Sequence, residues 1–109
     1  MADGEDAAAV LGKASSDPFP YESDFHLLNA LVALRRKDPQ SAMSEARRAL
    51  SIADTARGHL LLGRALQASG DRTAALAELE KAKTADPGDA EIEDLRRALN
   101  EGKNERRTP

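Results

Sequence analysis

The chain has no cysteine and no tryptophan, and aromatic residues make up only 3% of its 109 positions. Without cysteine there can be no disulfide, no thiol nucleophile and no cysteine-based metal site, and a reducing compartment fits. So few rings leave little to fill a deep core or to stack on bases, which points to a thin core and away from single-stranded nucleic acid. An excess of positive charge is also missing: the formal net charge is -3. Nothing therefore draws the whole chain toward phosphate backbones or anionic membranes, and neither is expected as a partner. No apolar run is long enough to span a bilayer. Asp3, Glu5 and Asp6 stand where a secretory leader would be basic, and Ala7 to Leu11 is too short for its apolar segment. A cytoplasmic protein is the default expectation.

What the sequence does contain is alanine, leucine and charge. Hydrophobic residues are 40% and charged residues 32%, a mixture that suits packed helices more than a disordered chain. The length fits one domain or a short repeat array. Charge is uneven, with six acids against Lys13 alone in residues 1–24 and five bases against three acids in residues 25–54. Residues 1–21 read as an acidic, partly flexible arm ahead of a mildly basic body.

Periodicity and punctuation mark five helices. Phe25, Leu28 and Val32 share a face while Leu27, Leu31 and Leu34 run beside it, which predicts a helix from about Asp24 to Arg36 capped by Ser23. Asp38 then Pro39 restarts the chain, since aspartate caps free N–H groups and proline has no donor to lose at the first helical position. The second helix carries Ala42, Met43, Ala46, Ala49 and Leu50 to about Ala53. Asp54 or Thr55 opens a third, with Leu62, Ala65 and Leu66, which Gly70 ends by accepting a left-handed conformation. Asp71 or Thr73 opens a fourth, with Ala75, Leu76, Leu79 and Ala82 inward, up to Asp86, Pro87 and Gly88. Asp89 caps a fifth, with Ile92, Leu95 and Leu99 on one side, which ends at Gly102 before a polar tail at 103–109. Residues 5–14 are a weaker helical candidate, and Pro18 and Pro20 hold the segment around Phe19 and Tyr21 extended. Phe19 and Tyr21 are expected to lie across the exposed end of the first helix pair; a tethered strand in the groove is the sharper alternative.

The helices repeat. Ala42, Ala46 and Ala49 recur as Ala75, Leu79 and Ala82 at a shift of 33, and Phe25, Leu28 and Val32 recur as His59, Leu62 and Leu66 at 34. A helix-turn-helix unit of about 34 residues resembles the tetratricopeptide repeat. In residues 56–89, His59 stands where that family has tryptophan, and Leu62, Gly63, Leu66, Ala75, Leu79, Ala82 and Pro87 keep its spacing. In the other copy the pattern departs, with Asn29 in place of the glycine, Ala46 of the aromatic and Asp54 of the proline. The resemblance implies an all-α fold: helix-turn-helix repeats at 22–54 and 55–89, stacked as a short right-handed solenoid and closed by a capping helix at 90–102.

It also implies a function. The family receives a peptide or helix in the groove lined by the first helix of each pair. Carried onto this chain, that groove offers His26, Ala30 and Ala33 from one helix and Arg57, Leu60, Arg64, Gln67 and Ala68 from the next. Arg57 and Arg64 share a helical face and could meet a ligand carboxylate; a merely solvated face is the bland reading. The family's carboxylate-clamp subgroup wants lysine and asparagine in the first inner helix, and this chain has alanine and histidine. Another protein or peptide is therefore the expected partner, and self-association, or membership of a longer array, is the alternative.

Other chemistry finds no footing. Gly58 to Arg64 mimics part of a phosphate-binding loop but has Arg64 for the lysine, Ala65 for the hydroxyl and no preceding strand. His26 and His59 form an incomplete metal ligand set and read as packing residues. No constellation supports catalysis, and neither an enzyme nor a bound cofactor is expected.

Overall fold

The computed structural model describes residues 21–107, and within them every regular element is a helix. The five are α1 (Glu22–Arg35), α2 (Pro39–Ile52), α3 (Ala56–Ser69), α4 (Arg72–Ala85) and α5 (Ala90–Arg107). Each packs on its neighbours in sequence, and α3 also meets α1, which makes an all-α, repeat-like solenoid. None of these helices is long and apolar enough to cross a membrane. The weak helical candidate at 5–14 and Phe19 lie outside the described residues.

The boundaries follow the capping chemistry, with three departures. The Asp38 and Asp71 side chains accept from the backbone N–H of Ser41 and Ala74. Thr55 accepts from Gly58, and Asp89 from Glu91 and Ile92. Each thus satisfies donors that the first helical turn leaves free. Two hydrogen bonds from Ser41 also hold the Asp38 carboxyl below the usual aspartate range. Ser23, however, is no cap: α1 begins earlier, and the buried Ser23 hydroxyl donates to the Ala49 carbonyl of α2. Gly102 does not end α5, which runs on to Arg107. Glutamate, lysine and arginine on either side are good helix formers and outweigh the roughly 1 kcal/mol that one glycine costs.

The third departure is in the repeat itself. His26 contacts Glu45 and His59 contacts Glu78, each across 19 residues, and the two pairs are 33 positions apart. The turns agree: Lys37 and Gly70 both have positive φ, at 61° and 97°. Asp38 N–H donates to Ala33 just as Asp71 N–H donates to Leu66. One period of 33 therefore governs both members of the pair, and the shift of 34 expected for the first helices is wrong by one residue. Ala30, not Asn29, stands where Gly63 stands. Phe25, Leu28 and Val32 match Gly58, Leu61 and Ala65, not His59, Leu62 and Leu66.

The core is as thin as the composition requires. Ala30, Ala42, Ala46, Leu60, Ala65, Ala75, Leu79 and Ala82 are fully buried, with Ile92 and Leu99 of α5 closing the far end. Small residues bring the paired helices close. At Gly63 an added Cβ would lie 3.1 Å from Leu79 Cδ2, so α3 and α4 approach to a distance that only glycine or a shifted leucine permits. Charge helps to fasten α5: Arg96 reaches Glu80 of α4 with Nε at 2.8 Å, and Lys83 of α4 reaches Glu93 at 3.3 Å. The Glu80 contact holds the Arg96 guanidinium above its ordinary range, and the Lys83 contact holds Glu93 below its own.

Candidate functional site

The first helix of each pair, together with α5, lines one side of the array, and that side carries a row of open depressions. One of about 270 Å³ lies between α1 and α3, lined by Leu27, Leu31, Arg57 and Arg64 among others. A second, of about 380 Å³, is lined by Leu31, Leu34, Arg35, Arg64 and Gln67. A third, of about 410 Å³, continues between α3 and α5 on Arg64, Glu91, Asp94, Leu95 and Ala98. Arg64 borders all three.

Of the α3 residues expected here, Arg57, Arg64 and Gln67 line the depressions and Ala68 is exposed. Leu60 does not face a ligand: it is fully buried. All three α1 residues are misplaced. Ala30 and Ala33 lie in the core, and the His26 ring points at α2, where Nδ1 meets Glu45 Oε1 at 2.6 Å. The cause is the one-residue register error. At 33 the matches of Leu60, Arg64 and Gln67 are Leu27, Leu31 and Leu34, three half-buried leucines that do line the depressions. The recurrence of His26 as His59 and of Asp38 as Asp71, both at 33, was the available signal. The contribution of α5 carried no such signal, because its residues resemble an ordinary charged helix surface.

The arginine pair does converge on a carboxylate, and the chain supplies it. Glu91 places Oε1 3.1 Å from Arg57 Nη1 and Oε2 3.5 Å from Arg64 Nη2. All three side chains are between about two-fifths and one-half exposed, so water screens the contact and each pair is worth under about 1 kcal/mol. A weakly held carboxylate between two arginines can be exchanged for another. Apolar floor from Leu31, Leu34 and Leu95 surrounds this polar centre. Among the described residues no three histidine, aspartate or glutamate side chains converge as a metal site.

Comparison with protein-family models, with curated proteins and with solved structures returned no match.

Proposed function

We propose that the chain is a protein-interaction module of the tetratricopeptide kind, which takes a peptide or helix of another protein along the α1, α3 and α5 side. The observation that carries this reading is that Arg64 borders three contiguous depressions whose floor is leucine and whose centre is the Arg57, Glu91, Arg64 bridge. A ligand with an acidic side chain or C-terminal carboxylate would displace Glu91 from the arginines and lay apolar side chains over Leu31 and Leu34. Helix α1 thus supplies hydrophobic contact, and α3 supplies charge.

The test is selection of ligands from a displayed peptide library, followed by titration against variants. Arg64→Glu and Leu31→Asp should each weaken binding by tenfold or more, whereas Arg48→Glu, on the exposed part of α2, should not. Glu91→Gln should strengthen binding of carboxylate-bearing ligands by freeing the arginines. Ligands indifferent to Arg64→Glu and Leu31→Asp would sink the proposal.

The second reading is self-association through the exposed apolar residues of α1, and it rests on Tyr21, Phe25, Leu28 and Val32, which are 39–59% exposed. Sedimentation of the chain across a concentration series separates the two.

A further inference from the structure

Those four residues form a single stripe, since their spacings of four, three and four keep them on one helical face. The period of 33 says what such a stripe is for. The matching residues of α3 are Gly58, Leu61 and Ala65, all buried. At Gly58 an added Cβ would come within 2.6 Å of Leu50 Cδ2, so α2 covers the face of α3 there, while Leu61 also borders the depression against α1, as Leu28 does. The stripe on α1 is the same face of the same repeat position, without the preceding helix.

We propose that residues 5–16 of this chain supply it, lying antiparallel to α1 as a helix in the place that α2 takes against α3. The sequence 33 positions before α2 carries much of the pattern shared by α2 and α4. Ala9 matches Ala42 and Ala75, Val10 matches Met43 and Leu76, and Ser16 matches Ala49 and Ala82. Glu5, followed by Asp6, matches the capping residues Asp38 and Asp71. The pattern is broken at Gly12, at Lys13 and at Asp17, which stands at the place of Leu50. Gly12 and Lys13 replace Glu45 and Ala46, or Glu78 and Leu79, which pack against the first helix of their own pair.

Connection and charge agree with the placement. Tyr21 sits at one end of the stripe, so the chain reaches α1 beside the surface to be covered. Pro18 and Pro20 resist helix continuation between the two segments. Transferring the α2 to α3 register sets Val10 opposite Val32 and Ala14 opposite Leu28. It also brings Glu5 and Asp6 to the exposed basic end of α1 at Arg35, Arg36 and Lys37. In the opposite orientation the acids would instead meet Glu22 and Asp24.

Absence of native cysteine makes a crosslinking test clean. The double variant Val10→Cys/Val32→Cys in the full chain, oxidised at low micromolar concentration, should form an intrachain disulfide at least tenfold faster than Val10→Cys/Phe25→Cys. The latter places the thiols about two turns, roughly 10 Å, out of register. Equal rates overturn the proposal, and disulfides that join two chains at a rate rising with concentration assign the stripe to a second copy instead. A measurement on the unaltered chain guards against misfolded variants: amides of residues 8–14 should exchange at least tenfold more slowly than in the free peptide 1–20. Exchange at the free-peptide rate overturns the proposal, whatever else then covers the stripe.

Discussion

His59 Nδ1 lies 2.7 Å from Glu78 Oε1, and the same contact joins His26 to Glu45 at 2.6 Å. A carboxylate only accepts, so the ring N–H is the donor. Each histidine side chain is only 12–13% exposed, so each contact ties the two helices of a repeat in a place largely closed to water. In a double-mutant cycle on His59→Ala and Glu78→Ala, unfolding free energies should show a coupling of about 1–2 kcal/mol. A coupling near zero would mean that the contact between His59 and Glu78 adds nothing to stability.

The carboxyl of Glu45 is held below the usual glutamate range, chiefly by its hydrogen bond to His26. A carboxyl whose folded pKa is depressed stabilises the fold fully above its unfolded value and ceases to do so as pH falls through the folded one. The stability that this carboxylate adds over Glu45→Gln should therefore be intact above the ordinary glutamate range. It should shrink as pH drops below about 4.3, the ordinary glutamate value. Urea titrations at a series of pH values measure it, and a difference that grows on acidification would contradict the contact.

The two repeats solve one packing problem in two ways. Repeat 2 sets the buried Gly63 against Leu79, and repeat 1 has Ala30 and Ala46 at the matching positions, so the two differ in which helix supplies the volume. Ala46→Leu alone should overpack the first pair and cost about 1–3 kcal/mol. Ala30→Gly alone should cost about 1 kcal/mol in helix propensity. Together they should cost less than Ala46→Leu by itself, because glycine makes the room that leucine needs. Additive losses in denaturant midpoints would show that the positions do not share a contact.

Lys37 adopts the left-handed conformation that Gly70 adopts one period later. A side chain there is strained by roughly 1–2 kcal/mol, and glycine is not. Lys37→Gly should raise stability by about 0.5–1 kcal/mol after the added freedom of the unfolded chain is subtracted. Gly70→Ala should lower it, although nothing lies within 4 Å of the Cβ it would add, so that loss would report backbone strain alone. Thermal denaturation of both variants is the check.

The helices and most of their ends are written locally in the order of residues. Capping chemistry at Asp38, Asp71 and Asp89 and the left-handed stop at Gly70 are local, so the residues that cause them sit beside the boundary they set. That order also discloses the repeat, because Ala42 and Ala75 must be small wherever two helices touch. The groove was only half legible. Arg57 and Arg64 announced themselves by charge, but the α1 side depended on register, and a helix apolar on most sides gives little sign of which leucines face out. Helix packing is what sets Leu27, Leu31 and Leu34 on the groove and buries Ala30, since a shift of one residue turns a helix by about 100° and exchanges one face for another. Packing also brings Glu91 to Arg57 from 34 residues away and to Arg64 besides, a pairing that stacking of separate helices makes and that no local pattern encodes.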